Sequence, residues 1–152
     1  MVQIRRIKFF KPRYAVTDSD GALTSWAGRF GREGASAYFD GQAYAFRRDG
    51  RKRFVLSADD AQVALAERAH GQWRVSSDGS DYALVRPSKW RSGYELRAEG
   101  RALGTISRRR RTVSCDLPDE LSVTLQAFIG FVAIALWNRE AAAAGGAGAA
   151  SA

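Results

Sequence analysis

Residues 126–140 read QAFIGFVAIALWNRE, and between Ala127 and Trp137 no side chain is polar. Nothing else in the chain restricts the fold as strongly. Leu121, Leu125, Phe128, Val132 and Leu136 make one helical stripe, Val123, Phe131 and Ile134 a second, and Ile129 and Trp137 fall on the far side. A helix apolar on every face has to be surrounded, by protein or by lipid. Length separates the two. A span needs about 20 predominantly apolar residues to cross a hydrocarbon core of about 30 Å, whereas residues 121–137 rise roughly 25 Å. Ser122, Thr124 and Gln126 also interrupt the first half. A core helix is therefore expected, with a membrane span over residues 121–137 as the alternative. Burying about eight large apolar side chains at about 1.5–3 kcal/mol each would make this helix a main stabilising element. A charge at Ile129 or Ile134 is expected to prevent folding.

Asp116 is suited to cap the first turn, Pro118 is tolerated there, and Asp119 and Glu120 favour the positive end of the helix dipole. These signals predict a helix over about residues 117–143, inside a single domain of residues 1–143. The alanines of AAAAGGAGAASA extend it by a turn before the glycines end it, so residues 144–152 are expected to form a disordered tail.

Upstream of Asp116 the chain alternates between short apolar patterns and turn signals. Asp20-Gly21, Asp40-Gly41, Asp49-Gly50 and Asp78-Gly79 are hairpin dipeptides, and Glu99-Gly100 is a weaker one. An aromatic–any–apolar triplet precedes a turn glycine at Tyr14-Ala15-Val16, Tyr44-Ala45-Phe46, Trp73-Arg74-Val75 and Tyr94-Glu95-Leu96. Period-two alternation running into tight turns is the pattern of an antiparallel meander. Cutting at the turns gives about twelve strands of about six residues, and with loops of about four they account for the length before Asp116. Residues 57–71 also allow a helix, since Ser57 and Asp60 are spaced as a capping box and Gly71 stands as a stop. Val63 and Leu65 alternate and no 3.6-residue stripe emerges, so strand is expected there.

The expected fold is thus mainly β: a closed antiparallel barrel of about twelve strands around one hydrophobic C-terminal helix. A barrel this wide is either plugged or a channel, and here the plug is encoded in the chain. The hairpins QAYAFRRDGRKRF, GQWRVSSDGSDYALV and SGYELRAEGRALGTIS, followed by DLPDELSVTLQAFIGFVAIALW, resemble the tubby C-terminal-like superfold, which includes the LURP-one-related and phospholipid scramblase families. The resemblance covers roughly residues 2–140 and is one of pattern, with no single motif specific to it. It implies a barrel plugged by its last helix and association with acidic phospholipids. No acid-rich calcium loop of scramblase type is present, so lipid scrambling is not implied, and phosphoinositide-binding residues do not transfer one by one.

Charge gives the functional direction. The formal net charge is +8 over 152 residues and the pI is about 10.2, which favours anionic partners: acidic lipid, an acidic protein or nucleic acid. Arginine offers a planar fork for phosphate, although GC-rich coding also raises Arg and Ala content. Three clusters stand out. Arg5 and Arg6 lead a basic first strand with Lys8, Lys11 and Arg13. Arg47, Arg48, Arg51, Lys52 and Arg53 flank Asp49-Gly50. Arg108, Arg109, Arg110 and Arg111 form an unbroken run. Consecutive arginines in a strand cannot all face water, so that run is expected at a barrel rim or a bulge.

Catalytic constellations are not evident. His70 lacks a Cys or second His for a metal site and reads as a surface residue. Cys115 precedes Asp116 where a helix dipole would lower a thiol pKa, yet it reads better as a buried structural thiol. A single cysteine forms no internal disulfide. The serines lack a nucleophile elbow, and the glycines lack a phosphate cradle. The N-terminal stretch MVQIRRIKFFKPRY has no apolar leader pattern, so a cytoplasmic protein, peripheral on an inner membrane face, is expected. The chain therefore reads as a non-enzymatic module without cofactor or metal that docks on anionic phospholipid or an acidic partner. The alternatives are a nucleic-acid-binding β-domain and a tail-anchored protein.

Overall fold

The computed structural model describes residues 1–6, 13–18, 21–27, 34–88 and 92–150. Lys8, Lys11 and Asp20 lie outside the described residues, as do residues 7–10 and 28–29, into which the sequence pattern extends the first strand (3–10) and the third (22–29). Twelve strands precede one helix: β1 Val2–Arg6, β2 Arg13–Asp18, β3 Gly21–Ala27, β4 Gly34–Phe39, β5 Gln42–Arg48, β6 Arg53–Ala58, β7 Ala61–Ala69, β8 Gln72–Ser77, β9 Ser80–Val85, β10 Tyr94–Ala98, β11 Arg101–Arg109, β12 Thr112–Asp116 and α1 Val123–Ala150. The turn chemistry explains the hairpins. At Asp40-Gly41, Asp59-Asp60, His70-Gly71, Asp78-Gly79 and Glu99-Gly100 both turn residues take positive φ, as two-residue turns matched to strand twist require. Asp60 is thus a turn residue rather than part of a helix cap, and residues 57–71 are paired strands. On β7 the fully buried residues are Ala64 and Ala66, with Val63 and Leu65 half-buried.

All twelve strands form one antiparallel sheet in the order β3-β2-β1-β12-β11-β10-β9-β8-β7-β6-β5-β4. First and last strands pair, Ile4 opposite Val113, and β3 and β4 are the two edges. Laid flat, twelve strands would separate those edges by roughly 50 Å, yet the connection from Ala27 to Gly34 reaches at most about 25 Å. The sheet must therefore curl, and β3 and β4 do lie beside each other. Among the described residues no hydrogen-bonded ladder joins them, so the hydrogen-bonded sheet stays open at that seam. Register shifts at Val16/Thr17, Leu56/Ser57 and Leu96/Arg97 recur forty residues, or four strands, apart. Bulges bend a sheet and increase its twist, and this spacing distributes the bending evenly around the curl.

The curl encloses α1. From Leu125 to Trp137 every residue is buried except half-buried Ile134. Its partners come from all around the sheet. Phe46 of β5 meets Phe128 and Phe131, Phe54 of β6 meets Phe131, and Tyr94 of β10 meets Trp137. On the opposite side, a Cβ placed at Gly130 would run into Ile4 of β1 and Cys115 of β12, so the missing side chain is what lets the helix approach those strands. By length and composition α1 could cross a membrane, but its apolar half is packed inside this protein.

The helix begins later than the sequence suggests. Asp116 ends β12, and Ser122 is the cap, its Oγ accepting the Leu125 N–H at 3.1 Å. Leu117 and Leu121 turn inward before it, and Gln126 Nε2 donates to the Leu121 and Pro118 carbonyls at 2.9 and 3.3 Å. Two apolar side chains are buried by this turn, which displaces the helix start from Pro118. Nor do the glycines end the helix, which passes through Gly145 and Gly146 to Ala150. Two glycines cost about 2 kcal/mol of helix propensity, and the surrounding alanines are the best helix formers.

Candidate functional site

Strand parity decides where the loops go. In an antiparallel meander every odd-to-even connection falls at one end and every even-to-odd connection at the other. The β5–β6, β7–β8, β9–β10 and β11–β12 connections share the end where α1 leaves, here the exit end. The hairpin turns rich in Asp and Glu, and the β12–α1 turn, share the entry end.

All three arginine clusters belong to the exit end. Arg109 pairs with Thr112 across the β11–β12 turn, so Arg110 and Arg111 are the turn itself at the exit end of the sheet, while Arg108 and Arg109 belong to β11. Arg110 takes φ +55°, a left-handed conformation costing an arginine about 1 kcal/mol relative to glycine. The first cluster lies alongside. Arg5 pairs with Thr112, and the Arg6 N–H donates to the Arg111 carbonyl at 3.0 Å. Burial pushes the Tyr14 hydroxyl up in pKa, while the charges of Arg6 and Arg108 pull it the other way.

The β5–β6 cluster is braced by backbone. The Asp49 N–H donates to the Arg53 carbonyl and the Arg68 N–H to the Lys52 carbonyl, both at 2.8 Å. Arg53 pairs with Glu67 at 3.5 Å and with Asp49 at 3.8 Å. Arg47, Arg51 and Lys52 are exposed, as are Arg109 and Arg110, and no carboxylate pairs with these five among the described residues.

The emerging helix joins these parts of the rim. Arg139 Nη1 donates to the Arg51 carbonyl at 2.8 Å, and its guanidinium lies 4.9 Å from the Phe54 ring and 5.9 Å from Trp73. Arg108 lies 5.2 Å from the Trp137 ring and Arg86 5.3 Å from Tyr94. Glu140 holds Arg86 at 2.6 and 2.8 Å, raising the Arg86 pKa chiefly through that hydrogen bond. Trp137 Nε1 donates to the Ser92 carbonyl at 2.5 Å. A floor of Trp137, Tyr94, Trp73 and Phe54 thus closes the core beneath a layer of guanidiniums, with offset cation–π contacts. The exposed guanidiniums present forks suited to bidentate phosphate or carboxylate binding.

Sequence reasoning missed Arg86, Arg139 and this floor. The available signal was Arg139 itself, the first basic residue after the apolar run. The other singled-out groups lie elsewhere. His70 is exposed in its turn at φ +52°. Cys115 is fully buried in β12, and desolvation pushes its thiol up to about 12, so the dipole-activated alternative fails because no helix starts beside it. Among the described residues no group of His, Cys, Asp or Glu is arranged to hold a metal ion. Set against known proteins, the chain matches no family model, no curated protein and no solved structure.

Proposed function

We propose that this chain is a non-enzymatic binding module of tubby-like type, a closed barrel plugged by α1, that docks on anionic phospholipid at a cytoplasmic membrane face through its arginine-rich end. One observation carries the reading: clusters separated by up to a hundred residues in sequence converge on the same end of the sheet. For closure, the support is the adjacency of β3 and β4. Tyr38 apart, the aromatics of strands β4–β12 and α1 are buried or half-buried, which argues against a base-stacking surface for nucleic acid, and the buried helix argues against a tail anchor over residues 121–137.

Each basic residue near an anionic surface contributes about 1 kcal/mol, so attachment is weak, additive and salt-sensitive. Flotation with neutral and acidic vesicles at low and high salt tests it. Binding to acidic vesicles alone, lost at high salt and weakened when Arg108, Arg109, Arg110 and Arg111 are replaced by Ser, is the expected result. Unaltered binding by the folded Ser variant sinks the assignment. Displacement of the protein from vesicles by single-stranded DNA at physiological salt would favour the nucleic-acid alternative.

A further inference from the structure

The geometry points to end-on docking: the exit end faces the anionic bilayer, and the helical segment from Ala141 to Ala150 enters it. This rests on the lipid-binding reading and adds the face, the orientation and an inserted element.

The two ends carry opposite charge. Among the described residues, the exit-end carboxylates Asp49, Glu67 and Glu140 are each engaged by Arg53 or Arg86, leaving Arg47, Arg51, Lys52, Arg109 and Arg110 outward. At the entry end stand Asp40, Asp59, Asp60, Asp78, Glu99 and Asp119, against Arg97 and Arg101. Strands as long as β7 and β11 separate the ends by about 30 Å, well beyond a Debye length of about 8–10 Å. A bilayer touching the exit end therefore feels its cations almost alone. Lying on its side, the molecule would present both signs at once, and the entry end would be repelled.

End-on contact has a steric requirement. Arg139 and Glu140 mark the level of the rim through their bonds to Arg51 and Arg86. Beyond them α1 continues to Ala150, projecting about 15 Å. The rim cannot reach a plane of phosphates unless this segment passes through it. From Ala141 to Ala150 it contains only alanine and glycine, so no charged or hydrogen-bonding side chain opposes entry; its N–H groups are bonded within the helix, and only the carbonyls of the last turn enter without an intrahelical partner. The roughly 15 Å from Ala141 to Ala150 is about half of a hydrocarbon core of about 30 Å, so this segment reaches into one leaflet.

The test uses the full chain with a single added cysteine carrying a polarity-sensitive fluorophore, at Ala144→Cys or at Asp78→Cys; Cys115, being buried, stays unlabelled in the folded protein. Vesicles of phosphatidylserine and phosphatidylcholine are compared with the same mixture bearing brominated acyl chains. On binding, the probe at 144 should shift to the blue and be quenched by bromine, while the probe at 78 is unchanged. In unlabelled protein, Arg110→Gly should weaken binding about fivefold without loss of fold. Binding in which 144 stays unquenched, or 78 is quenched, overturns the orientation but leaves lipid docking intact. Absence of binding to any acidic vesicle overturns both.

Discussion

One helix, α1, lives in two environments. From Leu125 to Trp137 it is buried among aromatic and aliphatic side chains; from Ala141 to Gly146 it is exposed. The first half contains Ile, Val, Phe and Trp, middling or poor helix formers held by packing, whereas the second is held by alanine propensity alone. The same secondary structure therefore rests on different physics on either side of Glu140, and identical substitutions should have opposite consequences.

The largest contrast is a charge. Ile129→Asp puts an unpaired carboxylate where exposure is zero, costing more than about 4 kcal/mol; circular dichroism and size exclusion should report an unfolded or aggregated chain. Ala142→Asp should stay within about 0.5 kcal/mol of the parent. Ile134, half-buried rather than enclosed, should tolerate Asp better than Ile129 does, a revision of the equal effects its sequence position suggests.

Next comes pH. Cys115 packs against Gly130 of the buried half, and its pKa is raised from 9.0 to about 12. Below pH 9 the thiol is neutral in both states and costs nothing. Between 9 and 12 it ionises only on unfolding, so stability falls with rising pH by about 1.4 kcal/mol per unit. Burial raises Tyr14 and Tyr94 as well, adding in the same direction. Denaturant titrations should show this alkaline slope, shallower in Cys115→Ala. A flat profile up to pH 11 would mean the thiol is not desolvated.

Glycine sharpens the contrast further. Gly130→Ala forces a methyl against Ile4 and Cys115 and should cost about 1–3 kcal/mol. Gly145→Ala meets nothing within 4 Å and should add up to about 1 kcal/mol of local helix stability, visible in amide exchange of residues 141–150 and not in global unfolding. Smallest of all is Glu140→Gln. It removes the pair with Arg86, both side chains being substantially exposed, at a cost of about 1 kcal/mol or less by thermal unfolding.

Much of this organisation is legible in the chain because its turns announce themselves. Asp40-Gly41, Asp78-Gly79 and Glu99-Gly100 mark positive-φ positions directly, whereas Asp49-Gly50 opens a longer loop in which Gly50 alone is left-handed; each described strand answers to an expected one. The alternation of Val63 and Leu65 identified β7 through its less buried face; Ala64 and Ala66, too small to carry an apolar signal, are the fully buried residues. The helix start was misplaced because Asp119 and Glu120 imitate a first helical turn, while the actual cap, Ser122, depends on Leu121 folding inward. The forty-residue recurrence went unseen although Tyr14-x-Val16, Phe54-x-Leu56 and Tyr94-x-Leu96 carry it, since register shifts belong to pairs of strands. The convergence of the arginine clusters needed only strand parity. Arg86 needed the fold, because nothing local distinguishes it from other surface cations, whereas Arg139 was marked only by following the apolar run.

The placement of the core within the chain has a consequence for synthesis. All twelve strands leave the ribosome before the helix that fills them, and β1 must wait for β12 to find its ladder partner. Domains with early cores can fold as they emerge. This one makes its hydrophobic centre last, so the nascent hairpins hold apolar faces with nothing to bury them until residues 125–137 are released. Folding is then a single late event, and the interval before it is when the chain is most exposed to aggregation and most dependent on chaperones.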